Sequence, residues 1–285
     1  MKFQFILAEQ AFPVALMCRL LDVSKSGYYA WCKRPESNRA RQDRELTELV
    51  RAEFQAHPRG CGSRPIVHEL REQGHGVSRR RVTRLLAEAR LRHRLKRRGA
   101  RTTNSAHTQR IAKNVLDRRF EAGPPNRVWA SDITYVWTKR GFSYLAVVID
   151  IGTRRVVGWK VGPTMEQGLV LEALQAAILE RRPPPGLIHH SDRGVQYASD
   201  AYRALLVEHG IVCSMSRKGN CWDNAVVESF FSTLKRELPN EEVFEDLTMV
   251  DRAVFAYIAA FYNTRRRHSA LGYLSPSKYE SRIAA

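Results

Sequence analysis

The sequence lacks a long uninterrupted run of apolar residues, which excludes a helix that crosses a membrane. Such a helix needs about 20 consecutive apolar residues. The hydrophobic start of the chain is broken by Glu9, Gln10 and Pro13, and no small-residue cleavage site follows it. We therefore expect a cytoplasmic protein.

Cysteine is also sparse. The five cysteines are an odd number, and none of them forms a Cys-x-x-Cys pair or a cluster with metal-like spacing. These spacings predict neither a disulfide framework nor a zinc site, so reduced thiols are the expected state.

Acidic residues are scarce in the first part of the chain. Residues 1–120 contain 27 of the 47 Lys and Arg residues but only 11 of the 29 Asp and Glu residues, a net charge of +16, whereas residues 121–285 carry +2. A surface this basic suits a polyanion, because each neutralised phosphate releases counterions and adds affinity that does not depend on sequence. Nucleic acid is the predicted partner, and a membrane surface is the alternative.

What is present is a chain of 285 residues, 44% of them hydrophobic, which is enough for a catalytic domain and one or two small modules. Apolar periodicity predicts helical modules in the first part and a mixed α/β domain in the second. The predicted divisions are 1–36 and 37–92 for two helical modules, 93–126 for a basic linker, 127–240 for the α/β domain, and 241–285 for a C-terminal helix and basic tail.

The helical modules carry most of the positive charge. Residues 11–33 have the spacing of a helix-turn-helix, although a helical hairpin without a DNA role fits equally well. Ser78 is a predicted N-cap of a helix that turns its arginines outward. Residues 79–101 contain eleven basic residues and one acidic residue, Glu88. The predicted DNA contacts here are Arg79, Arg80, Arg81, Arg84, Arg94, Lys96, Arg97 and Arg98.

Strand-like segments follow the linker. The runs 127–138, 142–150 and 154–161 are rich in Val, Ile, Tyr and Trp and are separated by short polar turns. This pattern predicts three successive antiparallel strands. A helix over 165–181 and a short buried strand over 187–190 come next, so we expect a mixed sheet.

Three acidic residues stand out against this pattern. Asp132 lies in the middle of the first strand, where a carboxylate is costly to bury unless something pairs with it. Asp192 directly follows the short strand, and Gly194 lets the chain turn there. Glu228 shares the polar face of a predicted helix with Lys235. Each acid also has a structural alternative. Asp132 could bond to backbone at a strand edge, Asp192 could form an Asx turn, and Glu228 could be an ordinary exposed helical glutamate.

Nearby polar residues are predicted to be structural. Asp150, at the end of a strand, suits a cap or turn better than a fourth carboxylate. His189 and His190 are expected to take no part in the chemistry. Asn220 and Asp223 have the spacing of a variant capping box at the start of the helix that carries the third acid.

In order and spacing, Asp132, Asp192 and Glu228 resemble the acidic triad of DDE transposases with a retroviral-integrase-like core, in particular the OrfB protein of insertion-sequence family three. Thirty-five residues separate the second acid from the third. Seven blocks extend the resemblance over nearly all of the chain. They are MCRLLDVSKSGYYAW, GCGSRPIVHELREQGHGVSRRRVTRLL, WASDITYVWT, YLAVVIDIGTRRVVGW, HSDRGVQYAS, SRKGNCWDNAVVESFFSTLKREL and YNTRRRHSALGYLSPSKYE.

The resemblance implies an α/β ribonuclease-H-like core, with a mixed sheet flanked by helices, preceded by small all-α helix-turn-helix modules. It implies that the three acids hold two Mg²⁺ or Mn²⁺ ions, which activate the attacking oxygen and stabilise the leaving oxygen. The implied reaction is DNA strand cleavage at the element ends, followed by attack of the freed 3′-hydroxyl. Lys235 would contact a DNA phosphate, and Arg265, Arg266 and Arg267 would either contact DNA or pack against the core.

The implied partner is double-stranded DNA, both the terminal repeats of the element and the target, in the bacterial cytoplasm and at the nucleoid. Synapsis of two ends implies a homo-oligomer on DNA, and an upstream OrfA segment joined by frameshifting would complete the enzyme. Two other functions stay open. A stand-alone ribonuclease-H-like nuclease needs the same acids but no end recognition, and a non-catalytic DNA-binding regulator needs only the basic modules.

Overall fold

The computed structural model of the chain describes residues 1–9, 11–92, 111–217, 221–238 and 244–284. Helices occupy the first two of these ranges, and all five strands lie in the third. Four predicted DNA contacts lie outside the described residues, namely Arg94, Lys96, Arg97 and Arg98.

Three short helices form the first module. They are α1 (Lys2–Ala8), α2 (Val14–Leu20) and α3 (Lys25–Lys33). Ile6, Met17 and Tyr28 form their small shared core. Ser24 caps α3, because its Oγ accepts a hydrogen bond of 3.0 Å from the Gly27 amide. The predicted pair of helices joined by a turn is confirmed, and its role on DNA stays a prediction.

The second module contains three longer helices. They are α4 (Asn38–Gln55), α5 (Ser63–Glu72) and α6 (Arg79–Glu88). Val50, Ile66 and Val82 are fully buried where the three helices meet. Ser78 is the N-cap of α6 as predicted, since its Oγ accepts from the Arg81 amide at 3.2 Å.

Five strands form one mixed sheet. They are β1 (Val128–Thr138), β2 (Gly141–Asp150), β3 (Val156–Gly162), β4 (Ile188–Ser191) and β5 (Val212–Met215). The order across the sheet is β3-β2-β1-β4-β5. The first three strands pair antiparallel, whereas β4 pairs parallel to both β1 and β5. The predicted mixed sheet is confirmed.

Helices cover both faces of this sheet. The helices are α7 (Gln167–Arg181), α8 (Val195–Ala198), α9 (Asp200–Glu208), α10 (Ala225–Glu237) and α11 (Leu247–Phe255). Alternate strand residues point to opposite faces: Ala130 packs with α10 and α11, and Trp129 packs with α7, α8 and α9. Gly158 lets α7 approach closely, because an added Cβ would lie 2.3 Å from the Ala173 carbonyl oxygen.

The last part of the chain returns to the helical modules. A π-helix, Ala256–Tyr262, continues α11, and α12 (Pro276–Ala284) follows a 3₁₀ turn at Ser269–Leu271. The ring of Tyr273 stacks on His68 of α5 with 4.1 Å between ring centroids. Within the described ranges, no helix is both long enough and apolar enough to span a membrane.

Candidate active site

The register of the sheet brings two of the three acids to neighbouring positions. β1 and β4 pair in parallel, and their last pair is Ser131 opposite Ser191. Asp132 and Asp192 are the next residues on the two segments. The first acid therefore lies level with the second, at the point where β4 ends.

A turn holds Asp192 at this strand end. Its Oδ1 accepts a hydrogen bond of 2.8 Å from the Gly194 amide. An added Cβ at Gly194 would lie 3.0 Å from the same Oδ1 atom, so glycine leaves the carboxylate room there. The Asx-type turn considered from the sequence is thus present, and it orients the carboxylate.

α10 brings the third acid to the same side of the sheet. Val227, Phe230 and Leu234 bury one face of the helix against the sheet, and Glu228 on the other face is exposed. Asp132 is two residues from Ala130, which packs with α10, so it lies on the side of β1 that α10 covers.

The three carboxylates influence one another. Burial raises the pKa of Asp132 well above its usual range, and the negative charges of Asp192 and Glu228 raise it further. The Ile133 amide, 2.8 Å from Asp132 Oδ1, acts in the opposite direction. We call Asp132, Asp192 and Glu228 the acid cluster. In the part of the chain that the structure describes, no three His, Cys, Asp or Glu side chains form a ready-made metal-binding group.

A buried polar network supports the strands below the acid cluster. His189 Nε2 lies 2.8 Å from Ser131 Oγ and 3.1 Å from the Tyr202 hydroxyl. Burial lowers the pKa of His189 to about 3 and that of His190 to about 4, so both imidazoles are neutral at pH 7. Both histidines are buried and hydrogen-bonded, which supports the predicted structural role, and their absence from the chemistry stays a prediction.

Asn224, which the sequence predicts to shape the site and not to touch metal, and Asp223, whose role here the sequence reasoning missed, fix the start of α10. Asn224, buried, donates through Nδ2 to the Ser131 carbonyl at 3.1 Å, directly beside Asp132 in β1. Asp223, fully buried, accepts from Arg217 at 3.0 Å and from Arg118 at 2.8 Å. A signal for them is present in the sequence, since two consecutive polar residues directly precede the apolar run that starts the helix.

The predicted capping box at this helix is wrong for Asp223. The helix begins at Ala225 after a 3₁₀ turn, Cys221–Asn224. The carboxylate of Asp223 is engaged by arginines, because a buried charge is stabilised best by an opposite charge. Asn220 lies outside the described residues.

Comparisons with protein families agree with this geometry. Two models described as "Integrase core domain" match residues 123–221 and 209–276, and one described as "HTH-like domain" matches residues 41–99. The "Transposase InsF for insertion sequence IS3A" of Escherichia coli strain K12 is 41% identical over 288 residues, which covers 100% of both chains. The chain belongs to the IS3 family of transposases. The predicted family and the predicted ribonuclease-H-like fold are therefore confirmed.

Another relative of this IS3-family transposase matches it with similar identity and over most of the chain. The "Insertion element IS600 uncharacterized 31 kDa protein" of Shigella sonnei is 41% identical over 266 residues, 93% of this chain and 98% of that protein. Family membership makes the chain a DNA transposase, an enzyme of the polynucleotidyl transferase class, as predicted from the sequence.

Solved structures resemble the transposase more distantly. A simian T-cell lymphotropic virus intasome in complex with a PP2A regulatory subunit covers 81% of this chain and 74% of its own, with 16% identity and a TM-score of 0.44. The HTLV-2 integrase catalytic core domain in complex with magnesium covers 56% and 99%, with 16% identity and a TM-score of 0.42. The fold assignment rests on the family models and on the strand order.

The arginines of α6 divide into two pairs in the transposase. Arg79 and Arg80 are exposed. Arg81 Nε and Arg84 Nη2 lie 2.7 and 2.6 Å from the carboxylate of Asp43, which neutralises part of their charge. The exposed arginines thus precede the paired ones on this helix, and the contacts of all four with DNA stay predictions.

The three consecutive arginines near the C-terminus, Arg265 to Arg267, also differ in their surroundings. Arg265 is exposed, whereas Arg266 Nη2 lies 2.9 Å from Glu237 of α10. Arg267 is buried, and its Nε lies 2.7 Å from Glu69 of α5. Of the two roles left open from the sequence, packing is the one that these contacts support for Arg266 and Arg267.

Lys235 and Asp150 occupy the remaining predicted positions. Lys235 Nζ lies 4.0 Å from the centroid of the Tyr135 ring, a cation–π contact between α10 and β1. Asp150 is fully buried and accepts from the amides of Asn126 at 2.6 Å and Thr153 at 3.1 Å. The turn role predicted for Asp150 is confirmed.

Proposed function

We propose that this transposase cleaves DNA strands at the ends of its element and joins the freed 3′-hydroxyl to another phosphodiester, with Asp132, Asp192 and Glu228 as its catalytic carboxylates. The observation that carries the proposal is the electrostatic coupling of Asp132 to both other acids across three different elements. Perturbed carboxylates on converging elements are typical of catalytic sites.

We propose that the acid cluster binds divalent ions. The charges of Asp192 and Glu228 raise the pKa of Asp132, so the three carboxylates repel one another when ionised. A bound cation would remove that repulsion. Asn224 Oδ1, buried and without a hydrogen-bond partner in the described residues, adds an unsatisfied oxygen beside β1. Oxygen donors of this kind suit Mg²⁺ or Mn²⁺. We propose two such ions, which when bound stabilise charge on the attacking and leaving oxygens.

The chain's own residues would perform the other tasks. The sheet holds the carboxylates of Asp132 and Asp192 side by side where β4 ends, so little reorganisation is needed when a phosphate arrives. Glu228 approaches from a helix that Asn224 fixes to β1. Lys235, positioned by its contact with Tyr135, would bind a DNA phosphate near the cleaved bond.

The decisive experiment replaces each acid by its isosteric amide. Asp132→Asn, Asp192→Asn and Glu228→Gln are each expected to abolish Mg²⁺-dependent or Mn²⁺-dependent cleavage of a duplex that carries an element end. DNA binding, measured by fluorescence anisotropy in the same buffer, should persist. Glu121→Gln, which removes an exposed acid elsewhere, serves as the matched control.

Full cleavage activity in any one amide variant would remove that residue from the proposal. The joining reaction separates the transposase from a simple nuclease, because a nuclease cuts without transferring the 3′-hydroxyl to a target. Retention of all biological activity by all three variants would favour a non-catalytic regulator.

The partners proposed for this function are the terminal repeats, a target duplex and further copies of the chain. The HTH-like domain supports DNA binding. We propose that two ends are held by a homo-oligomer on DNA and that an upstream OrfA segment joins the active enzyme. Sedimentation of the chain with and without end-containing DNA tests the oligomer, and addition of the OrfA segment to the joining reaction tests its contribution.

A further inference from the structure

A cleft of about 570 Å³ lies beside the helix that carries Glu228. Its walls come from the start of α5, the start of α10 and the segment 266–273. Ser229, the neighbour of Glu228 in sequence, is one of the lining residues. The cleft therefore lies between α10, the helix that carries Glu228, and the HTH-like domain.

Two helix N-termini open into this cleft. Arg64 and Pro65 are in the first turn of α5, and Ala225 and Val226 are in the first turn of α10. Neither helix has a side-chain hydrogen bond at its N-cap. The N-terminal end of a helix carries partial positive charge, so both ends favour an anion, although Pro65 itself has no N–H to donate.

The charged residues that line the cleft are positive, like the helix N-termini. Arg64, Arg154, Arg266 and Arg267 line the cleft, and no acidic residue is found among its described lining residues. Arg266 and Arg267 are already paired with glutamates outside the lining. Arg64 is exposed, which leaves it and Arg154 as the candidate ligands.

Arg154 is held in an incompletely satisfied state. Its Nη2 donates to the Phe120 carbonyl at 2.6 Å, but its Nη1 is buried and has no hydrogen-bond partner among the described residues. Burial lowers the pKa of Arg154, because few negative groups compensate its charge. A charged group of this kind is costly until an anion pairs with it.

We propose that this arginine cleft, defined by Arg64, Arg154 and the first turns of α5 and α10, binds a phosphodiester of the DNA backbone. The inference rests on the proposed function, since it places the strand that is cleaved along α10. Arg64 belongs to the HTH-like domain and Arg154 to the integrase core. One phosphate would thus be held jointly by the domain that binds DNA and the domain that cuts it.

The salt dependence of DNA binding tests this site without any cleavage. Affinity is measured by anisotropy for an end-containing duplex and an unrelated duplex, in EDTA, between roughly 50 and 200 mM salt. Arg64→Gln and Arg154→Gln are each expected to reduce the slope of log affinity against log salt by about 0.9 for one lost phosphate contact. The reduction should be equal for both duplexes, because a phosphate contact carries no sequence information.

Arg182→Gln is the matched control. Arg182 is an exposed arginine at the end of α7, which packs on the opposite face of the sheet, so this variant should keep the wild-type slope. The proposal is overturned if Arg64→Gln and Arg154→Gln both keep that slope, or if Arg182→Gln reduces it equally. Arg64→Gln changes an exposed side chain, so it keeps the test informative if Arg154→Gln fails to fold.

Failure of the cleft and failure of the catalytic proposal are distinguishable. EDTA prevents metal-dependent chemistry, so the binding slope does not depend on the roles of the acids. Glu228→Gln is expected to retain the wild-type slope although it does not cleave. If the amide variants lose cleavage as expected but the arginine variants keep the wild-type slope, the phosphate site in the cleft is refuted and the catalytic proposal stands.

Discussion

Asp132 occupies a strand position at which its ionised form is unfavourable. Burial and two neighbouring carboxylates both oppose its charge. Asp132→Asn is therefore expected to raise the Tm of the metal-free protein by roughly 2–4 °C, the effect of about 1 kcal/mol in a chain of this size. Differential scanning calorimetry in EDTA measures this change, and Glu121→Gln should leave Tm unaltered. An Asp132→Asn variant that melts below the wild type would contradict the repulsion argument.

His189 gives the fold a pH dependence of defined sign. Its folded pKa is about 3, whereas a free histidine has a pKa near 6.5. Between these values the unfolded chain binds a proton that the folded chain does not, so stability is complete above about pH 6.5 and falls as the pH is lowered. His189→Gln should reduce the dependence of unfolding free energy on pH by roughly 1.4 kcal/mol per unit in this window.

Urea titrations at several pH values measure that dependence. His209→Gln is the control, because His209 is exposed at the end of α9. Its slope should equal that of the wild type. Equal slopes for His189→Gln and the wild type would show that the buried imidazole does not govern acid sensitivity.

At the scale of single residues, the sequence was sufficient to select the candidate acids but not to predict which residues contact one another. Asp132, Asp192 and Glu228 were recognisable because their order and spacing resemble those of a family. Tyr135 and Asp223 were not recognisable, because their partners are determined by packing. Asp223 pairs with Arg118, which precedes it by more than a hundred positions, and no local pattern encodes such a pair.

At the scale of elements, the existence of the strands followed from their composition, whereas their pairing did not. Alternation and turn residues predicted β1, β2 and β3. The position of β4 beside β1 depends on a parallel crossover, which leaves no local signature. That pairing is what brings Asp192 level with Asp132, so the resemblance predicted which acids to propose, whereas their relative position required the fold.

The start of α10 is an element-scale feature that controls Glu228. Asn224 donates to the Ser131 carbonyl, and this bond sets the distance between helix and strand. Asn224→Ala should reduce the cleavage rate by about two orders of magnitude, since a displacement of about 1 Å has an effect of that size. DNA affinity should be unchanged, and Ser232→Ala on an exposed position of the same helix should cleave normally. Wild-type cleavage by Asn224→Ala would exclude a positioning role.

At the scale of the whole molecule, an ion-pair network joins the HTH-like domain to the C-terminal part of the core. Arg267 donates to Glu69 at 2.7 Å, to Glu72 at 2.8 Å and to the Tyr273 carbonyl at 2.8 Å. Lys278 Nζ lies 2.8 Å from the same Glu72. The two glutamates lie 195 to 206 positions before their basic partners in sequence, so charge patterning along the chain does not reveal these pairs.

This network explains why a run of three arginines in a DNA-binding protein is not simply a DNA-binding surface. The guanidinium of Arg267 is 3% exposed, and its glutamate partners lie on one face of α5. A phosphate would have to displace two carboxylates to reach it. The buried arginine instead ties the HTH-like domain to the C-terminal part of the integrase core.

Arg267→Gln should therefore loosen the connection between the two domains. Removing one member of a buried pair leaves the other unpaired, and the loss in unfolding free energy is expected to be about 3 kcal/mol, reduced from larger values because Glu72 is partly exposed. Lys278→Gln removes an exposed cation from the same glutamate and should lose less than about 1 kcal/mol. If the network also positions the cut, primer-extension mapping of cleaved ends will show a broader distribution of cleavage positions for Arg267→Gln than for Lys278→Gln. Equal stability losses and equally sharp cuts in the two variants would mean that the domains are held together by other contacts, such as the stacking of Tyr273 on His68.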